Sequence, residues 1–271
     1  MKNKISGKIV ALLLTLIIVA TSGMPLYAKE TGDKANSFRY ENGQSIAKAV
    51  PFSTLSPNAW KKIDGKYYSG DGSVIEGAVA KGIDVSHHQG TVDWKKAKED
   101  GVEFAIIRCG FGMNQTKQDD AQWFNNVKGC EENNIPYGVY LYSYADTVKK
   151  AQSEAEHVLR LIKGHTLAYP VYYDIEEKAV LNKLTAEQLG KIAATFVNKV
   201  KAEGYQTGIY SNKSNFETFL TDSQFSQWNK WVAQYNSAAC TYKGTYQIWQ
   251  AADTGTIDGV NGAVDINFAM K

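Results

Sequence analysis

From residue 82 onward the chain alternates short apolar or β-branched runs with longer amphipathic stretches. The runs GIDVS, EFAIIRCG, PYGVYLYSYA, YPVYYDIE and QTGIYS have the length and composition of strands. Helical periods lie between them. Over residues 147–164, Val148, Ala151, Ala155, Val158, Leu159 and Ile162 form one stripe at 3.6 spacing. Over residues 185–204 the stripe is Leu189, Ile192, Ala193, Phe196, Val197 and Val200, opened by a Thr185…Gln188 capping box and closed by Gly204. Beyond residue 221 the helical periods fade, and KWVAQY, TYQIWQAA and AVDINFA follow at short intervals as further strands.

Repeated strand, helix, strand predicts a parallel sheet, and eight strands predict an α/β fold: an irregular βα barrel with helices missing from its last third. Residues 80–271 fall well short of the roughly 250 typical of a complete eightfold barrel, a shortfall that missing helices explain. Residues 29–79 are polar and broken by Gly and Pro, with no helix-length period, and are expected to form a linker. Within it, AWKKIDGKYYSGDGSVIEG (59–77) resembles one copy of the aromatic and glycine repeats of bacterial wall-binding modules. Such repeats stack on neighbours, and no second copy is present, so a β-hairpin packed on the next domain is the competing expectation.

At the N-terminus, Lys2, Lys4 and Lys8 precede IVALLLTLIIVA, which is short for a membrane span and has the charge order of a secretory signal; LYA ends at Ala28 as a candidate cleavage site. Residues 1–28 are therefore expected to be a signal peptide and the protein secreted or held at the cell surface. Leu26 is larger than cleavage sites favour, which keeps an uncleaved anchor as the alternative. A net charge of +2 with no basic stripe excludes nucleic acid as an expected partner.

In an oxidising compartment the three cysteines become informative. Arg108 and Cys109 alternate faces, and if Arg108 points into the barrel, Cys109 turns toward the helix whose stripe is Trp123, Val127 and Cys130. A Cys109–Cys130 disulfide is one expectation; two buried thiols are the other.

The run VYYDIEE ends in acids. Val171, Tyr173 and Ile175 share one face and would meet the helices, which sends Asp174 and Glu176 to the barrel interior at the C-terminal strand end, where barrel enzymes keep their chemistry. Glu177, beside Lys178, fits a solvated loop. Burying two like charges raises at least one pKa, the condition for a carboxylic acid that donates a proton near neutral pH, and glycoside hydrolysis uses such a pair. Asp84 in the first strand and Asp265 in the last, neighbours in a closed barrel, would join the same face. His87 and His88 are metal-ligand types near Asp84. Only these two stand near the acids, and a polar loop explains them, so neither metal nor cofactor is expected.

GIDVSHHQGTVDW (82–94), AIIRCGFG (105–112), YGVYLYSYA (137–145), VYYDIEE (171–177), GIYS (208–211), WVAQY (231–235) and YQIWQ…GVNGAVDIN (246–267) together resemble the family-25 glycoside hydrolases, bacterial and phage lysozymes of the Chalaropsis type. The resemblance spans everything after residue 80. It implies a monomeric catalytic barrel that cleaves the β-1,4 bond between N-acetylmuramic acid and N-acetylglucosamine in peptidoglycan glycan strands. Glu176 would be the general acid, Asp174 would assist the substrate's 2-acetamido group, and Asp84 and Asp265 would hold the constellation. Tyr140, Tyr142, Tyr210, Trp231, Tyr235 and Trp249 would line the mouth against sugar rings, although buried core is the ordinary place for such aromatics. Two side chains two residues apart on a strand sit about 6.5 Å apart, which favours inversion over retention by a carboxylate nucleophile; the resemblance instead implies retention through the substrate's own acetamido oxygen. Two other classes compete: an inactive wall-binding protein on the same barrel, and a metal-dependent polysaccharide deacetylase.

Overall fold

A computed structural model describes residues 35–42, 44–46 and 55–271. The expected signal peptide, and the part of the linker before residue 35, lie outside the described residues.

Eight strands close a barrel: β1 (Ala78–Val85), β2 (Phe104–Phe111), β3 (Tyr137–Tyr142), β4 (Val171–Asp174), β5 (Thr207–Asn212), β6 (Asn229–Ala233), β7 (Ile248–Gly255) and β8 (Val264–Met270). Strands β1 to β7 run parallel, and β8 is antiparallel to both β7 and β1. The parallel-sheet expectation thus fails at the last strand. The reason is connection length: residues 256–263, between β7 and β8, are too few for the helical crossover that a parallel return needs.

Helices cover the first two thirds of the barrel. They are α1 (Trp94–Glu99), α2 (Trp123–Glu132), α3 (Val148–Ile162), α4 (Lys178–Leu181), α5 (Ala186–Ala202) and α6 (Lys213–Thr218), with none between β6 and β8. The Thr185…Gln188 capping box forms and opens α5. Strand alternation sorts the side chains as its period of two demands. Val171, Tyr173 and Ile175 join the outer core, where the Tyr173 ring stacks on Phe196 of α5 at 3.9 Å. Tyr172 turns inward with Phe104, Ile106, Tyr210 and Trp231 to fill the barrel. Room for those rings comes from Gly82 and Gly208: a Cβ on Gly82 would lie 2.6 Å from the Phe104 ring, and one on Gly208 would lie 2.5 Å from Tyr172.

The wall that lacks helices has a different cover. Residues 59–77 form a hairpin, with Lys62–Ile63 paired to Lys66–Tyr67. Trp60 and Tyr67 pack on Phe268 of β8, with ring centroids 6.2 and 5.6 Å apart. Glu103, just before β2, accepts from the Tyr67 hydroxyl and, at 2.7 Å, from Lys62 Nζ. Trp249, expected at the mouth, belongs to this wall. Ile248 and Gln250 point inward, so Trp249 points outward, fully buried 6.1 Å from Phe268 with its indole nitrogen donating to Gln234 O.

The disulfide expectation is also corrected. Cys109 and Cys130 share the outer core, but both are free thiols, as is Cys240. A register shift between Arg108 and Gly110 places Cys109 at a bulge, and its Sγ donates to Tyr140 O at 3.2 Å instead of meeting Cys130. Unfolded, unreduced protein is therefore expected to titrate three thiols per chain with a thiol-specific reagent; a count of one would establish a disulfide.

Candidate active site

The C-terminal ends of the parallel strands open into a cleft of about 1110 Å³ lined by Asp84, Asp174, Glu176 and Asp265. All four acids expected from the sequence converge there, each at most 6% exposed. Asp265 reaches this end because β8 runs backwards: it lies at the start of its strand, paired in register with Asp84. Asp174 is the last residue of β4. One further ladder step keeps Glu176 on the inner side, since Ile175 N donates to Tyr210 O (3.0 Å) and Ser211 Oγ to Ile175 O (2.7 Å).

Each acid is held differently. Asp84 Oδ2 accepts from Gln250 Nε2 (2.7 Å) and Asn267 Nδ2 (2.8 Å), side chains of β7 and β8 that are themselves fixed by Tyr210, Tyr235 and the Trp231 indole. Asp265 Oδ1 accepts from the Arg39 guanidinium at 2.6 Å. Asp174 Oδ1 and Glu176 Oε2, by contrast, are buried with no hydrogen-bond partner among the described residues.

Burial is the main cause of the pKa shifts here. It raises Asp84 well above the usual carboxylate range, with repulsion from Asp265 adding and Arg39, Asn267 and Gln250 opposing. It raises Asp174 similarly, with repulsion from Glu176 adding and Arg39 opposing. Glu176 is pushed up to about 7 by burial, against Arg39 and with help from Asp265 and Glu177. The Asp174 and Glu176 pair thus holds a proton near neutral pH, which is what general acid catalysis needs.

Glu177, expected to be solvated, is buried. It caps α4 through Ala179 N and accepts from the Tyr142 hydroxyl (3.3 Å) and from Asn36 N (3.0 Å). Of the six aromatics, Tyr140, Tyr142, Tyr210 and Trp231 line the cleft, and Tyr235 reaches its rim through Gln250 and Arg39. Tyr210 and Trp231 are almost wholly buried and make the floor, with ring centroids 4.3 Å apart. Trp249 is absent from the cleft for the reason already given.

Other residues in and around the cleft complete the site. Gln250 and Asn267 were findable, because Asn267 lies two residues beyond Asp265 and polar side chains at inward positions of a strand need a purpose. Arg108 points inward as expected, and its Nε meets Asp120 Oδ2 at 2.7 Å; Asp120 also accepts from His87 N (3.0 Å). Phe124, 68% exposed, lines the cleft from α2 and lies off the stripe of Trp123, Val127 and Cys130. Arg39, from the supposed linker, had no signal at all.

The family model "Glycosyl hydrolases family 25" matches residues 83–260. Among curated proteins, the "Uncharacterized protein YegX" of Escherichia coli K12 is 31% identical over 193 residues, covering 69% of this chain and 68% of its own. "Lysozyme M1" of Streptomyces globisporus is 25% identical over 256 residues, 82% of this chain and 84% of its own. The modular autolysin LytC of Streptococcus pneumoniae, solved with a synthetic peptidoglycan ligand, superposes with a TM-score of 0.67 and 31% identity over 78% of this chain; the match spans about half of the autolysin, 52%. A family-25 structure from Bacillus anthracis, at 19% identity and TM-score 0.63, shows the same fold.

Behind the acids lies a further buried carboxyl, that of Glu154 on α3. It accepts from Ser143 Oγ (2.8 Å), the Tyr173 hydroxyl (2.5 Å) and Tyr144 N (2.9 Å), and Ser143 N in turn holds the Asp174 carbonyl (3.0 Å). Burial pushes Glu154 up to about 7, against those same hydrogen bonds. Glu154→Ala removes the acceptor of three donors, of which Ser143 Oγ keeps the Tyr173 hydroxyl at 2.9 Å, and leaves a cavity, so urea unfolding is expected to show a loss of about 3 kcal/mol. A change under about 0.5 kcal/mol, the level of a surface substitution, would show that the network is dispensable.

Proposed function

This chain belongs to family 25 of the glycosyl hydrolases, and we propose that its cleft hydrolyses the β-1,4 bond between N-acetylmuramic acid and N-acetylglucosamine in peptidoglycan. The observation that carries this reading is the pair Asp174 and Glu176 in the lining of the cleft, each with one buried carboxylate oxygen that has no hydrogen-bond partner among the described residues. A substrate that brings an N–H donor and a glycosidic oxygen would satisfy both.

Glu176, protonated near neutral pH, gives its proton to the leaving glycosidic oxygen. Asp174 accepts the N–H of the 2-acetamido group and so turns that group's oxygen toward the anomeric carbon, where it attacks as the glycosidic bond breaks. A cyclic intermediate forms on the sugar and none on the protein. The Glu176 carboxylate then takes a proton from water, which opens the ring from the face the leaving group left, and the starting configuration returns. Asp84, fixed by Gln250 and Asn267, holds β1, β7 and β8 together beside the reacting pair. Tyr140, Tyr142 and Tyr235 offer ring faces to the sugars.

Export agrees with a wall substrate and rests on the basic-then-apolar order of residues 1–28. An inactive wall-binding protein would have no use for a buried acid pair, and a deacetylase would depend on metal. Release of reducing ends from purified peptidoglycan in the presence of EDTA is expected; acetate release that EDTA abolishes would support the deacetylase, and neither product would support the binder.

Glu176→Gln is expected to lower kcat about a thousandfold and Asp174→Asn about a hundredfold. Because the folded Glu176 pKa is raised and its protonated form is the active one, the rate should fall as pH rises through about 7. A rate unchanged into the alkaline range would remove Glu176 as the acid.

Proton NMR of the first product is expected to show the β-anomer. An initial α-anomer would refute substrate assistance and make Asp174 the base of an inverting enzyme.

A further inference from the structure

Residues 35–42 and 44–46 lie across the mouth of the cleft, far in sequence from everything they touch. Ala35 packs with Phe111 and Tyr142. Asn36 N donates to Glu177 Oε2 at 3.0 Å, and the Asn36 carbonyl accepts from Lys178 N, so the segment is tied to both residues that follow Glu176. Buried Ser37 accepts from Arg39 N and Tyr40 N (3.1 and 3.2 Å), and Ser37 N returns a bond to Tyr40 O. That tight turn presents Arg39 to the acids: its guanidinium donates to Asp265 Oδ1 at 2.6 Å and reaches the Tyr235 hydroxyl at 3.4 Å. Phe38 covers the Tyr235 ring at 5.6 Å, and Tyr40 stacks over His88 at 6.2 Å with planes 15° apart.

We propose that this segment is an autoinhibitory strap, a plug in cis that occupies the glycan's place in the cleft and must leave before a glycan strand can enter. The proposal rests on the hydrolase reading. The first argument is spatial: Arg39, Tyr40 and Ala35 line the same cleft as Asp174 and Glu176, and the Phe38 ring packs at 41° on the Tyr235 ring at its rim. The second is electrostatic. Burial raises Glu176, and Arg39 is the largest influence opposing it, so the seated strap favours loss of the very proton that catalysis needs. The third is that the seat is incomplete. Arg39 Nε, Asp174 Oδ1 and Glu176 Oε2 are all buried without a hydrogen-bond partner among the described residues, so a substrate that pairs the two acids can compete with the strap. Because the strap is joined to the barrel, its high effective concentration offsets so small a set of contacts.

Kinetics and proteolysis on the full chain test this. With dilute peptidoglycan, Arg39→Ala is expected to hydrolyse about ten times faster than wild type, the shift given by loss of one charge-assisted hydrogen bond, while Arg39→Lys stays close to wild type. Trypsin reports the seat independently of activity: cutting after Arg39 should be slow in wild type and faster in Asp265→Asn. Equal or slower hydrolysis by Arg39→Ala would overturn the strap and make Arg39 a substrate-binding group. Equally fast trypsin cutting in wild type and Asp265→Asn would overturn it too. Failure of every variant to hydrolyse peptidoglycan would reject the hydrolase reading, and with it the strap as its inhibitor, even where trypsin shows that Arg39 is seated.

Discussion

The two amide hydrogen bonds on Asp84 hold the site together. Asp84 stands at the end of β1, Gln250 on β7 and Asn267 on β8, so one carboxylate oxygen joins the first strand to the two that close the barrel. The connections that bring β7 and β8 into place have no helix to brace them. Asp84 supplies from inside what a helix would supply from outside, and its donors are fixed in turn by Tyr210, Tyr235 and Trp231, the floor and rim of the cleft. A change that loosened this bond would therefore alter barrel closure and cleft shape together.

The outer face of the same wall has a complementary arrangement. Trp249 and Phe268 project outward, where a regular barrel would place helices, and residues 59–77 bring Trp60 and Tyr67 to cover them. Aromatic rings provide large buried area at little cost in side-chain freedom, so a short hairpin can stand in for a helix. The spacing of aromatics and glycines that resembles a wall-binding repeat is, in this fold, the composition of a hairpin with two rings to bury.

Legibility from sequence followed locality. The α5 stripe, the strand runs, the inward direction of Asp174 and Glu176 and most of the α3 stripe depend on periods of 3.6 and 2 within one segment and appear in the structure; Val148, in the first turn of α3, is 49% exposed and leaves that stripe. The reversed direction of β8 depends on a connection length and was missed, although Asp265 still reached the mouth. Trp249 sits in a strand that feeds the mouth, as expected, but the alternation with inward Ile248 and Gln250 turns its side chain outward. Cys109 reaches the outer core beside the helix stripe as the alternation predicts, but a bulge, which no period announces, lies at its position and both thiols stay free. Arg39 and Glu177 depend on contacts between distant segments: Asn36 N on Glu177, 141 positions apart, and Arg39 on Asp265, 226 apart, and nothing in any one segment alone encodes them.

The four acids differ most in how they are satisfied. An unpaired polar atom in a buried site costs about 1 to 3 kcal/mol, so natural folds pair nearly all of them. Asp84 is paired by two amides and Asp265 by a guanidinium, whereas Asp174 and Glu176 each keep an orphan oxygen. Burial raises the pKa of both these residues, and repulsion from Glu176 adds to the rise of Asp174. Folding leaves these two unsatisfied while nearby amides are spent on Asp84. Such a cost persists where an incoming molecule recovers it, and the recovery is greatest as the leaving oxygen gains negative charge and the acetamido N–H becomes more acidic. Strain of this kind favours a transition state over the resting site, and it is the ground on which the proposed hydrolysis gives the reactive roles to Asp174 and Glu176 and the supporting roles to Asp84 and Asp265.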